Sequence, residues 1–169
     1  DVSNFPGTTV DISSGRYQDM VVMDTPGVYG VSSFNDEERV ARDVILYADL
    51  ILNVVDAVHL ERDLFLTQQV IDMGKPVVVA LNMMDEVRRN GIAIDVDKLS
   101  QELGVPVIPT TATKGEGIDE VKKALPEARR GHRLPWVEKM IPTVLDRVDE
   151  ESEALMVLEE DENILALHH

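Results

Sequence analysis

The sequence predicts an α/β fold with a largely parallel sheet flanked by helices, and three observations carry that expectation. Apolar runs of strand length recur at residues 20–23, 50–55, 77–81 and 105–108, bounded by turn-forming residues. The segments between them place apolar residues at helical spacing. The runs are continuous rather than alternating, as strands covered on both faces by crossover helices must be.

Residues 10–18 alternate more weakly and suit an antiparallel edge strand. The segment 35–47 then brings Val40, Val44 and Tyr47 to one helical face, and 60–73 does the same with Leu60, Leu64 and Val70 or Ile71. Asp95 is a plausible N-cap for a short helix through Leu103, which Gly104 ends and Pro106 follows. After Gly117, residues 118–125 read as the last helix of the main domain. Beyond Gly131 comes a Pro135-Trp136 start and then Val137, Ile141, Val144, Leu145 and Val148 at helical spacing, with no further strand evident. The expected organisation is a domain over 1–131 and the beginning of a helical spacer subdomain over 132–169.

The chain has 169 residues and no cysteine, so disulfides and thiolate metal sites are excluded. Its 32 acidic against 16 basic residues give a formal net charge of -16, which would repel a phosphate backbone and argues against a nucleic-acid partner. The apolar runs are interrupted by Asn53, Asp56 or Asn82, well short of the roughly 20 residues that span a bilayer. The expectation is a soluble chain. It begins at Asp1 and ends in His168-His169; both ends read as cut, and the final histidines as native or as the remnant of a tag.

Ligands of open α/β sheets sit beyond the carboxyl ends of the strands, and chemistry-bearing residues follow these runs. In Asp24-Thr25-Pro26-Gly27, the aspartate can hold hydrated Mg²⁺ and the glycine lets a backbone N–H approach a γ-phosphate; an ordinary turn accounts for it as well. In Asn82-Met83-Met84-Asp85, the carboxylate can accept from the ring N–H and exocyclic amine of guanine and would repel the acceptor edge of adenine. A helix cap is the simpler alternative. The stretch 110–117, TTATKGEG, offers backbone N–H groups to a guanine carbonyl, and Thr9 in FPGTTV offers a hydroxyl to Mg²⁺. Each is weak alone, but together they occur in the order and at the strand ends that a GTPase requires.

With those residues in place, NFPGTTV, DTPGVY, VVDAVHLERDLFLTQQ, ALNMMDE and LGVPVIPTTATKGEGI resemble the cytosolic GTPase domain of the bacterial ferrous iron transport protein B (FeoB) family, from about Asn4 to Leu125. The resemblance implies a P-loop-NTPase-like, Ras-like G domain that binds GTP or GDP with Mg²⁺, K⁺ being a further candidate. It implies nucleotide contacts at Thr8, Thr9, Asp24, Thr25, Pro26, Gly27, Asn82, Met83, Asp85, Thr111, Ala112 and Thr113, with Thr9 and Asp24 on the metal and Thr9 and Gly27 in catalysis. Asp56, Leu60, Glu61 and Arg62 match a family signature, read here as a helix start with surface salt bridges. Implied partners are guanine nucleotide and the protein's own membrane domain downstream, an oligomer being compatible. The implied location is the cytoplasmic face of the bacterial inner membrane.

The phosphate-cradling motif G-x-x-x-x-G-K-[ST] does not occur in these residues; Gly74-Lys75 is followed by Pro76 and heads a strand. The expectation is therefore a G domain truncated at its N-terminus. Its first, central strand would be missing, so the edges beside that gap would be open to pairing with other strands. Val28 stands where Ras-like enzymes place a water-orienting glutamine, which implies slow hydrolysis. Two other readings remain open: an Era- or Der-like GTPase of ribosome assembly, and an interaction fragment deficient in nucleotide binding.

Overall fold

The computed structural model describes residues 2–6, 8, 10–25, 27–31, 35–132, 137–147 and 163–168. The strands are β1 (Val2–Asn4), β2 (Asp11–Tyr17), β3 (Met20–Asp24), β4 (Leu50–Asp56), β5 (Val77–Asn82), β6 (Ile92–Ile94), β7 (Val107–Pro109), β8 (Leu145–Arg147) and β9 (Asn163–His168). The helices are α1 (Asp36–Tyr47), α2 (Leu60–Asp72), α3 (Met84–Arg89), α4 (Val96–Leu103), α5 (Ile118–Ala124) and α6 (Val137–Val144). The main sheet runs in the order β1-β2-β3-β9-β4-β5-β7, and β6 pairs with β8 apart from it.

The parallel core is β4-β5-β7, with Leu52 opposite Val78 and Val79 opposite Val107. Ile51, Val55, Val77, Val79 and Leu81 are fully or almost fully buried against helices that include α2 and α4. Each such side chain contributes about 1.5–3 kcal/mol on leaving water, more than the net 0.5–1.5 kcal/mol of one ladder hydrogen bond, so packing dominates strand placement. Helix α2 follows the expected pattern, burying Leu60, Leu64, Val70 and Ile71. Helix α4 runs from an Asp95 side chain that accepts from the Lys98 N–H to Gly104 at φ 75, the expected start and stop.

Several expectations are corrected. Residues Asp11–Tyr17 form an antiparallel strand, but an interior one, because β1 pairs along its outer side and takes the edge. On α1 the inward face is Val40, Ala41, Val44 and Ile45, whereas Tyr47 is 63% exposed. Asn82 ends β5 while Met84 and Asp85 open a helix, α3, so the helix that the capping alternative allowed does follow the motif.

The largest departure lies beyond Gly131. Helix α6 forms and buries Ile141 and Val144 as expected. Leu145, however, begins a strand rather than another helical turn, and Val148 lies outside the described residues. Strand β9 then enters the main sheet antiparallel to both neighbours, pairing Val22 with Leu167 on β3 and Leu52 with Leu165 on β4. The expected open edges at the centre of the sheet are thus paired, β9 lying between β3 and β4, which satisfies backbone groups that would otherwise be unpaired in the middle of a sheet.

Candidate functional site

The carboxyl ends of β5 and β7 are tied together by one side chain. Asn82 Oδ1, at the end of β5, accepts from the Thr110 hydroxyl at 3.0 Å and from the Ala112 N–H at 2.9 Å. The Met84 N–H donates to the Thr110 carbonyl, and Thr111 and Glu116 pair through both their backbone groups. Met83 takes a left-handed conformation, φ 68, at the turn from β5 into α3. Gly117 has φ 83, and a Cβ there would stand 2.3 Å from the Pro109 carbonyl oxygen, so glycine is required where the loop returns to β7.

Asp85, in the first turn of α3, lies beside this loop. Its Oδ1 accepts from the Glu86 N–H at 2.9 Å, and its Oδ2 faces Arg89 at 3.5 Å and Lys114 at 3.7 Å. Desolvation works to raise its pKa, but the Glu86 N–H, Arg89 and Lys114 together outweigh it and hold the carboxyl below its ordinary value. An acceptor-only carboxylate is therefore presented next to the 110–117 loop. The sequence places Asp85 here but does not reveal Lys114 and Arg89 as its neighbours; the i, i+4 spacing of Asp85 and Arg89 is the available signal.

Not every expected contact is poised for a ligand. The Thr111 N–H is taken by Glu116 and the Ala112 N–H by Asn82. Thr113 lies in the 3₁₀ turn that follows Thr111. The Thr111 hydroxyl is buried with no hydrogen-bond partner among the described residues, a polar atom for which a ligand or water would be the missing partner.

The second group of predicted residues lies at the end of β3 and in the segment before β2. Asp24 ends β3 with an exposed side chain, and partial desolvation raises its carboxyl above the ordinary value. Thr25 is buried and Gly27 exposed, while Val28 is buried. Thr8 is committed to a local turn, its hydroxyl donating to the Phe5 carbonyl at 2.9 Å and accepting from the Val10 N–H at 3.1 Å. Thr9 and Pro26 lie outside the described residues.

The signature beginning at Asp56 is not a set of surface salt bridges. Asp63 is 1% exposed and His59 4%. Asp63 accepts the Asp56 N–H at 2.8 Å through Oδ2 and the Arg62 Nε–H at 2.8 Å through Oδ1. Asp56 caps the turn into α2 by accepting from the Val58 N–H, and its other oxygen lies 3.0 Å from His59 Nδ1. Deeper in, the Thr67 hydroxyl donates to Asn53, which explains a buried asparagine inside an apolar strand. The helix start is legible in the sequence, but the burial is not, because alternating charges read equally well as a solvated face.

An α/β sheet with a carboxylate and a tethered loop at the carboxyl ends of the parallel strands β5 and β7 is the arrangement expected of a G domain, and comparison with known proteins bears on this directly. The family model described as "Ferrous iron transport protein B" matches residues 1–125. The Fe(2+) transporter FeoB of Legionella pneumophila (strain Paris) is 46% identical over 136 residues, 73% of this chain and 18% of that protein. That of Escherichia coli (strain K12) is 38% identical over 146 residues, 80% of this chain and 19% of that protein. Among solved structures, a mutant of S. thermophilus NFeoB bound to GDP matches with 49% identity and a TM-score of 0.72, covering 76% of this chain and 53% of that one. The cytosolic domain of the T. maritima FeoB transporter in its GMPPNP form matches with 33% identity and a TM-score of 0.70, covering 79% of this chain and 56% of that one. The fold is that of a P-loop GTPase G domain. The chain belongs to the ferrous iron transport protein B family. It spans about a fifth of the length of the curated relatives it matches.

Proposed function

We propose that this chain is guanine-nucleotide-binding G-domain sequence of a ferrous iron transporter, in which nucleotide state regulates or drives Fe²⁺ passage through a membrane domain. The observation that carries the reading is the ionised Asp85 carboxylate beside the loop that Asn82 holds. Such a carboxylate accepts from two guanine N–H groups at once and leaves the acceptor edge of adenine unmatched. The GDP and GMPPNP complexes of the relatives support the same ligand class.

Mg²⁺ is proposed with the nucleotide. Among the described residues no three acidic, histidine or cysteine side chains are placed so as to hold a metal ion by themselves. Mg²⁺ bound to phosphates, however, keeps several waters and takes one or two protein oxygens. Asp24, with a carboxyl raised by desolvation, is a donor that a neighbouring cation would favour in its charged form, and Thr9 is proposed as the second. The cation would neutralise phosphate charge. Thr9 and Gly27 are proposed to meet the γ-phosphate, and the buried, apolar Val28 offers no base for a water, which accords with slow hydrolysis. K⁺ as a further cation is part of the same proposal, as are the placement at the cytoplasmic side of the inner membrane and an oligomeric state. Among the described residues no helix is long and apolar enough to cross a membrane. Residues 132–169 are proposed as the start of a spacer, with β9 returning to the main sheet.

The test is Asp85→Asn in a longer chain that supplies a phosphate-cradling loop. The substitution replaces a double acceptor with a mixed donor and acceptor, so GTP binding should weaken by about 10- to 100-fold while xanthosine triphosphate gains. Equal affinity of parent and variant for both nucleotides would overturn the assignment. The 169 residues alone, lacking the lysine and the backbone N–H cradle of that loop, should bind GTP no better than guanosine.

A further inference from the structure

The signature absorbed into neither the base site nor the phosphate side is the one on α2, and its second half reaches the loop that follows Asp24. The Arg62 guanidinium carbon lies 5.0 Å from the centroid of the Tyr29 ring. The Val31 N–H donates to Gln69 Oε1 at 2.8 Å, across 38 residues of sequence. A Cβ on Gly30 would stand 3.0 Å from the same Gln69 oxygen, so the loop backbone is drawn close against the helix. Arg62 is itself held in one orientation, because its Nε–H is spent on Asp63 Oδ1 and the other Asp63 oxygen takes the N–H of Asp56 at the end of β4.

We propose that Arg62 and Gln69 are positioning residues that form a two-point latch on the loop 27–31, Arg62 against the Tyr29 ring and Gln69 on the Val31 N–H, fixing that loop relative to the end of β4. The two points do different work. Gln69 supplies a neutral acceptor to one backbone donor. The fixed planar guanidinium supplies a face for an aromatic ring that is still 42% exposed, where such a contact is worth little enough to break and reform. Val28 and Val31 also anchor the loop by burial in the core, so what the latch fixes is the stretch around the exposed Tyr29 between them, which can be released locally while β4 and α2 stay folded. The function of this latch rests on the reading that the loop senses a phosphate; its existence does not.

Amide hydrogen exchange on the 169-residue chain without nucleotide tests it, so the outcome is independent of whether guanine nucleotide binds. Gln69→Ala should speed exchange at Val31 by about five- to tenfold, the worth of one hydrogen bond, with Val54 and Val55 of β4 unchanged. Gln69→Glu keeps an acceptor oxygen and should restore the parental rate at Val31. Tyr29→Leu, which removes the ring, should loosen residues 29–31 without touching β4. Parental exchange at Val31 in Gln69→Ala would overturn the proposal. So would loss of protection in Gln69→Ala that spreads equally to β4, or a Gln69→Glu variant that behaves like alanine.

Discussion

The two ends of the candidate nucleotide site are built differently. At the base end, Asn82 takes two donors, Thr111 and Glu116 pair twice and the Met84 N–H is bonded, so β5, α3 and the 110–117 loop are one piece. At the proposed phosphate end, Val28 and Val31 are anchored in the core, while the exposed Tyr29 between them meets Arg62, the Val31 N–H is bonded to Gln69, and Asp24 is exposed. A base is the same in every nucleotide state, so its reader gains from rigidity. A terminal phosphate comes and goes, and the exposed part of a loop that answers to it must be held by contacts weak enough to exchange.

That contrast can be broken hardest at its shared support. Asp63→Ala should cost about 3–5 kcal/mol, because it takes the carboxylate from the largely buried Arg62 guanidinium and leaves the Asp56 N–H without its acceptor. Thermal and denaturant unfolding would measure it, and a loss below about 1 kcal/mol would mean that Arg62 finds another anion. Next, Gly117→Ala should cost about 2–3 kcal/mol from the positive φ and the clash with Pro109. Its damage should concentrate in the 110–117 loop and α3, leaving exchange in residues 27–31 near parental.

Asn82→Ala should be milder, about 1–3 kcal/mol, since it strands the Ala112 N–H and the Thr110 hydroxyl without adding strain. Exchange at Ala112 should rise in step with the loss of stability. If Ala112 stays protected, the tie between β5 and β7 is held by something other than Asn82. The smallest effect is on pH. Asp85 has a folded-state pKa below its ordinary 3.8, so the charged form contributes above that value and its contribution is lost only as pH falls through the lowered pKa. Carboxyl titration by NMR should find the Asp85 midpoint below that of an ordinary aspartate, and Lys114→Met should move it upward.

Much of this molecule is determined by its sequence. Short apolar runs with helical spacing between them force strands and crossover helices, and β4 and β5 end within a residue of where their runs end. Asp95 and Gly104 delimit α4 because a side-chain acceptor and a permissive φ are local requirements that need no partner. The order of Asp24, Asn82, Asp85 and the 110–117 loop is enough to point to guanine, since strand ends are where an open sheet presents its ligands.

Only the tertiary structure decided what depends on distant partners. Whether Asp63 and His59 face water or protein turns on what packs over α2, not on their own spacing. That Asn82 serves as a tether as well as a candidate base contact follows from β7 lying beside β5. Ile164 and Leu165, which the expected helical spacer would hold, lie instead in β9 between β3 and β4. A short apolar segment at 163–168 satisfies helix or strand equally by pattern. The unpaired backbone of two interior strands, available only in the assembled sheet, is what selects the strand.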